Sequence, residues 1–99
     1  MYGTIARMRP KAGHEQEVLD LMEQWNRERK PNVRGAVGGY MLRPDRDPRE
    51  VVLLAVFDSR ETYRANADDP AQDRWYRGLR EHLEADPTWE DGEITAAGS

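Results

Sequence analysis

Among the side chains of this 99-residue chain, only His14 and His82 ordinarily change charge close to neutral pH, which makes them the first candidates for proton transfer. His82 flanks the apolar stripe of Trp75, Leu79 and Leu83. It could act as a general base toward a weakly acidic hydroxyl, although a histidine on the flank of a helical stripe is equally a solvated or hydrogen-bonded one. The adjacent rings Trp75 and Tyr76 could clamp a flat molecule by offset stacking and offer an N–H or O–H as a polar handle. Their alternative is plain core packing. Trp25 would face the same space from an earlier helix, or simply anchor the core. Asn66 could hold a ligand oxygen through its amide, or cap a helix end. Tyr40 is a possible donor on a strand, where tyrosine also packs well. Arg7, on a strand expected at the centre of a sheet, needs an anionic partner if it points inward: a carboxylate of another subunit or an anionic ligand.

Other chemistries are absent or weakly signalled. With no cysteine there is no thiolate nucleophile, no disulfide and no iron–sulfur ligation. His14, Glu17 and Asp20 together lack a second strong ligand for a metal, so no metal site is expected. Gly38-Gly39 has neither the strand-to-helix setting nor the lysine of a phosphate loop. Fifteen basic and nineteen acidic residues are interleaved, for a net charge of −4, which argues against a nucleic-acid partner. No charged-then-apolar leader and no apolar run near ~18 residues is present, so neither export nor membrane insertion is expected and the reading is a soluble, cytoplasmic protein.

The elements that must position these residues can be read from periodicity and punctuation. Tyr2 to Arg9 is a strand that ends in the turn Pro10-Lys11-Ala12-Gly13. From His14 to Lys30 the residues Val18, Leu21, Met22 and Trp25 recur at helical spacing, with Leu19 beside them, and Pro31 stops the helix. Val33 to Arg43 is a second strand, with a bulge or close backbone approach at Gly38-Gly39. Pro44 to Pro48 connects it to a third strand, Val51 to Phe57. Asp58 or Ser59 caps a short helix whose buried side carries Tyr63. Asp69-Pro70-Ala71-Gln72 opens another, which runs through Trp75, Leu79 and Leu83 to Asp86-Pro87. Thr88 to Ala97 is a last strand, with a bend at Asp91-Gly92, and Gly98-Ser99 is a frayed end.

The order β-α-β-β-(αα)-β predicts an α+β, ferredoxin-like fold over residues 1–99: one domain with an antiparallel sheet, strands one and three at its centre and all helices on one face. Val51 to Phe57 is apolar at every position, so both faces of that strand must be hidden. The helices can hide one. A chain with 37 % hydrophobic residues has nothing left for the other, and a second copy of itself is the simplest lid, which makes a homodimer the expected state.

Several of these stretches together resemble the antibiotic biosynthesis monooxygenase domain of the dimeric α/β-barrel superfamily. They are Ile5-Ala6-Arg7 running into Lys11-Ala12-Gly13 before an acidic helix start, Gly35 opening strand two, the apolar strand ending Phe57-Asp58-Ser59-Arg60-Glu61-Thr62-Tyr63, and Asp69-Pro70 before an aromatic helix. The likeness covers about residues 2 to 96. It implies a pocket between sheet and helices, and a cofactor-free oxidation in which a phenol, quinol or polyketide-like aromatic is deprotonated and reacts directly with dioxygen. The haem-degrading branch carries an Asn, Trp and His where Ala6, Asn66 and Tyr76 stand here, so the resemblance does not extend to that activity. His82 and Asn66 are then the catalytic candidates, and Trp75, Tyr76, Trp25, Tyr40 and Arg7 the substrate-binding ones, with no cofactor. The alternatives are a ligand-binding or regulatory barrel without catalysis, and an isomerase or lyase using the same pocket.

Overall fold

The run Val51–Phe57 lies where its two apolar faces require, in the interior of a four-stranded sheet. The computed structural model describes residues 1–97, so the frayed end expected at Gly98-Ser99 lies outside the described residues. Its elements are β1 (Tyr2–Met8), α1 (Glu15–Gln24), β2 (Ala36–Leu42), β3 (Val51–Phe57), α2 (Arg60–Ala67), α3 (Pro70–Arg80) and β4 (Thr88–Glu93). The strand order is β2-β3-β1-β4, and every neighbouring pair is antiparallel. This is the α+β, ferredoxin-like arrangement the residue pattern predicts, as an open sheet.

Strand alternation sorts the side chains into two sets. Ala6, Met8, Val51, Leu53 and Phe57 meet Val18, Met22 and Trp25 from the first helical segment and Leu79 and Leu83 from the last, forming the core on one face. Ile5, Tyr40 and Leu54 stand in register across the opposite face, which carries no helix. Local signals start the helices where expected: the Ser59 hydroxyl accepts from the Thr62 N–H at 3.1 Å, and Asp69 accepts from the Ala71 N–H at 2.8 Å ahead of Pro70 at the first helical position. Asp58 accepts instead from the Thr62 hydroxyl at 2.7 Å.

Strand two starts at Ala36 rather than Val33, and of the two alternatives for its paired glycines the close approach falls on Gly39 while the bulge lies just before the pair. A bulge shifts the register between Ala36 and Gly38, and the Gly39 backbone is pressed against α1: a Cβ there would lie 2.9 Å from the Met22 Cε. Asn26 brackets the same peptide, donating to the Gly39 carbonyl at 3.0 Å and accepting from its N–H at 3.3 Å.

Three elements differ from the periodicity. The first helix leaves the α conformation at Gln24, continues as a π-helical turn over Trp25–Arg29 and closes in a 3₁₀ turn over Lys30–Asn32. The carbonyl of Leu21, one turn before the change, also accepts the Trp75 indole N–H at 3.2 Å, a competing donor that local sequence does not reveal. The last helix ends at Arg80. Beyond it the chain pairs with the end of β1: the Lys11 N–H donates to the His82 carbonyl at 2.8 Å, the Glu84 N–H to the Arg9 carbonyl at 2.9 Å, and Pro10 bridges Leu83. Leu83 is thus core without being helical, because tertiary pairing satisfies its backbone in place of another helical turn. Strand β4 stops at Glu93 and pairs with β1 without a register shift through Asp91-Gly92. Among the described residues, no helix is long and apolar enough to cross a membrane.

Candidate functional site

Between the helix-covered face of the sheet and the segments α2, α3 and the π-helical turn lies a cavity of about 370 Å³, within the size range of small-molecule pockets. Its floor is sheet: Thr4, Gly39, Leu53, Ala55 and Phe57. Gly39 and Ala55, on adjacent strands and paired in register, remove bulk from that floor, so it is low where larger residues would fill it. The walls are aromatic. Trp25 comes from the π-helical turn, Trp75 and Tyr76 from α3, and Trp89 from the edge strand β4, its ring centroid 6.0 Å from that of Tyr76.

Two of the three indole N–H groups do not face a ligand. That of Trp75 is spent on the Leu21 carbonyl, and that of Trp25 donates to the Gln72 Oε1 at 2.9 Å. Trp25 and Trp75 therefore offer ring faces, and two carboxamides supply polar handles held in a fixed orientation. An indole can only donate, so the oxygen of Gln72 must be the atom that faces Trp25, which leaves its NH₂ group without a partner among the described residues. Asn66, near the end of α2, is held the same way: the Arg29 Nη2 donates to its Oδ1 at 3.2 Å, and its NH₂ has no partner among the described residues.

Tyr63 completes the wall. Its ring packs edge-on against Phe57, centroids 5.5 Å apart, and its hydroxyl donates to the Asp91 carboxylate at 3.0 Å. Burial, with the Asp91 charge adding to it, pushes its phenol up to about 12, so at neutral pH this group holds its proton and is no base. Burial raises Tyr76 as well. Asp73 brings a carboxylate to the lining, half exposed and paired with Arg77 at 2.8 Å. Among the described residues the lining holds no histidine or lysine, and no cluster of three or more His, Asp or Glu could hold a metal ion.

Of the residues singled out by type, the structure brings Trp25, Asn66, Trp75 and Tyr76 together around one space, and places the others elsewhere. His82 lies beyond the end of α3 with its Nδ1 3.0 Å from the Nδ1 of His14; one ring donates and the other accepts, and the pair ties the turn before α1 to the end of the helix layer. Tyr40 projects from the helix-free face, 60 % exposed. Arg7 lies on that face too, its guanidinium 3.4 Å from Glu50 of the same chain.

Sequence reasoning passes over Trp89, Gln72 and the cavity-lining role of Tyr63. Gln72 reads as a helix-start residue, and its side chain is used by Trp25 instead. Trp89 had a signal: its neighbour Glu90 pairs with Ile5, so the alternation of β4 turns Trp89, the partner of Ala6, to the helix side.

A search of curated proteins finds no match. Among solved structures the chain is similar to a protein from Deinococcus radiodurans at a TM-score of 0.81 and 12 % identity, covering all of this chain and 97 % of the other. It is similar to one from Bordetella bronchiseptica at 0.81 and 16 %, covering 96 % and 97 %. A third, from Chloroflexus aurantiacus, matches at 0.77 and 18 %, covering 99 % and 96 %. At these identities the likeness is one of fold, and all three carry the name of the same family. The model of that family matches residues 1–78, more than three quarters of the sequence, and the chain belongs to the antibiotic biosynthesis monooxygenase family.

Proposed function

We propose that this protein is a cofactor-independent monooxygenase that oxidises a phenolic, quinol or polyketide-like aromatic with dioxygen. The observation that carries the reading is the combination of flat aromatic walls with polar handles that donate: Trp25, Trp75, Tyr76 and Trp89 enclose the space, and the free NH₂ groups of Asn66 and Gln72 belong to its lining. Such a cavity suits a planar ligand whose oxygen accepts hydrogen bonds, and an oxygen that gains negative charge accepts them more strongly.

For an anthrone-like substrate the chemistry balances without a further reactant. The enol loses its proton to solvent, and the resulting carbanion gives an electron pair to dioxygen, forming a C–O bond. Protonation yields a hydroperoxide. Loss of water, taking the second hydrogen from that carbon, leaves a carbonyl: one oxygen atom enters the product and the other departs as water. The protein contributes orientation, exclusion of bulk water and hydrogen bonds to the substrate oxyanion.

The same reading includes a homodimer formed through the helix-free sheet face. Ile5, Tyr40, Leu42 and Leu54 are 36, 60, 63 and 39 % exposed there, an apolar area that a self-complementary pairing would cover.

Oxygen-electrode measurements with a panel of anthrones and quinols test the activity. Uptake above buffer is expected with at least one of them, reduced about 10²–10³-fold in Asn66→Ala, the size of effect that loss of one oxyanion donor has elsewhere. Binding without uptake across the panel would overturn it in favour of a ligand-binding protein. That second reading draws on one observation: no histidine or lysine lines the cavity among the described residues.

A further inference from the structure

A cavity that is to favour an anionic ligand, yet has no histidine or lysine in its lining among the described residues, needs another means of lowering the ligand's pKa. Arg29 stands behind the wall in a position to supply it. It ends the π-helical turn that also presents Trp25, and its Nη2 reaches the Asn66 Oδ1 at 3.2 Å. Two further observations describe its charge, and the second sets it apart. Among the described residues no carboxylate lies within ion-pair distance of it, a state it shares with Arg60, Arg64 and Arg74 on α2 and α3, whereas Arg77 and Arg80 are matched by Asp73 at 2.8 Å and Asp86 at 2.6 Å. Its Nε is also buried with no hydrogen-bond partner. A guanidinium that is partly desolvated, incompletely hydrogen-bonded and without a counter-ion is costly to keep, and a bound anion close by offsets that cost.

We propose that Arg29 is a positioning residue which locks the Asn66 amide with its NH₂ toward the cavity, and whose unneutralised charge, carried through that amide, makes the site select the deprotonated form of a hydroxyl-bearing aromatic. The orientation follows from chemistry: a guanidinium has no acceptor, so only the amide oxygen can face it. The Arg29–Asn66 contact polarises the amide and strengthens the donor at its other end. Gln72, turned the same way by Trp25, adds a second donor but no charge. The cavity therefore discriminates by ionisation state: phenol and phenolate have nearly the same shape, the Asp73 carboxylate of the lining is matched by Arg77, and the two donors and the positive charge hold the phenolate oxygen more strongly than the hydroxyl.

This inference rests on the cavity being a ligand site, and the test separates the two claims. The probe is 4-nitro-1-naphthol, whose phenolate absorbs visible light. Its binding is followed by quenching of tryptophan fluorescence and its ionisation by absorbance, across pH, at saturating protein. Wild-type protein is expected to bind the phenolate at least about tenfold more tightly than the phenol, which lowers the apparent pKa of the bound probe by about one unit. In Arg29→Gln that preference falls to about onefold, with little change in affinity for the neutral form, and Arg29→Lys retains part of it. Asn66→Asp supplies an independent check, because a carboxylate there neutralises Arg29 and reverses the preference, raising the apparent pKa of the bound probe above that of the free one. If the probe fails to quench wild-type fluorescence, the site reading falls and this inference falls with it. Binding with the same phenolate preference in wild type and Arg29→Gln overturns the role of Arg29 alone.

Discussion

Leu53 and Leu54 are neighbours on one strand with the same side chain and opposite fates. Leu53 faces the helices and is 4 % exposed; Leu54 faces away and is 39 % exposed, opposite Ile5 and Tyr40. The sheet is therefore greasy on two sides while the chain covers one. On the covered side the lid leaves a gap, because Gly39 and Ala55 lower the floor and the bulky rings stand around it rather than over it. On the other side there is no lid at all. The contrast separates two uses of apolar surface: one enclosed by the subunit and shaped by it, the other complete only if something outside the subunit arrives.

The sharpest way to break this comparison is to substitute one leucine at a time. Leu53→Ala removes side-chain contacts with the core and is expected to cost about 2–5 kcal/mol, the usual range for a buried leucine. Urea unfolding should record that loss equally at low and high protein concentration. Leu54→Asp should leave the subunit fold intact by circular dichroism and act on association. Wild-type protein is expected to sediment at twice the chain mass and the variant at the chain mass, with the concentration dependence of its melting temperature lost. A wild-type particle that sediments as a stable monomer at micromolar concentration would sink the account of the second face and leave the first untouched.

The fold was legible because its determinants are local. Alternation, the Ser59 cap, Asp69-Pro70 and the all-apolar third strand each act over a few residues, and together they admit one topology. The site was half legible for the same reason. A helix stripe that packs on a sheet turns Trp25, Trp75 and their neighbours toward one space whatever the details. What escaped is what distant partners decide. Trp75 loses its N–H to a carbonyl 54 positions earlier in the chain, and the helix there widens into a π turn whose last residue is Arg29. His82 leaves the helix because strand β1 claims the backbone around it. Tyr40 and Arg7 were placed on the right strands, but a single strand's pattern does not say which side the helices will take.

The smallest predicted effect probes the wall where the two faces share an edge. Tyr63 lines the cavity while its hydroxyl reaches Asp91 on β4, at the margin of the sheet. Its phenol is raised to about 12 by burial first and by the Asp91 carboxylate after it, whereas an unfolded tyrosine ionises near 10. The folded state therefore keeps a proton that the unfolded state releases earlier. The corresponding stability is present in full below about pH 10, declines as the pH rises from there, and is gone once the pH has passed through 12. Tyr63→Phe removes this titration, and at pH 7, where the phenol is protonated whether folded or unfolded, it costs only one exposed hydrogen bond, no more than about 1 kcal/mol. Its melting temperature should then fall less steeply than that of the wild type between pH 10 and 12, since the other tyrosines and the lysines titrate alike in both proteins and cancel in the difference. Parallel alkaline melting curves would show instead that the phenol is as accessible when folded as when unfolded, and that this wall of the cavity is open to water.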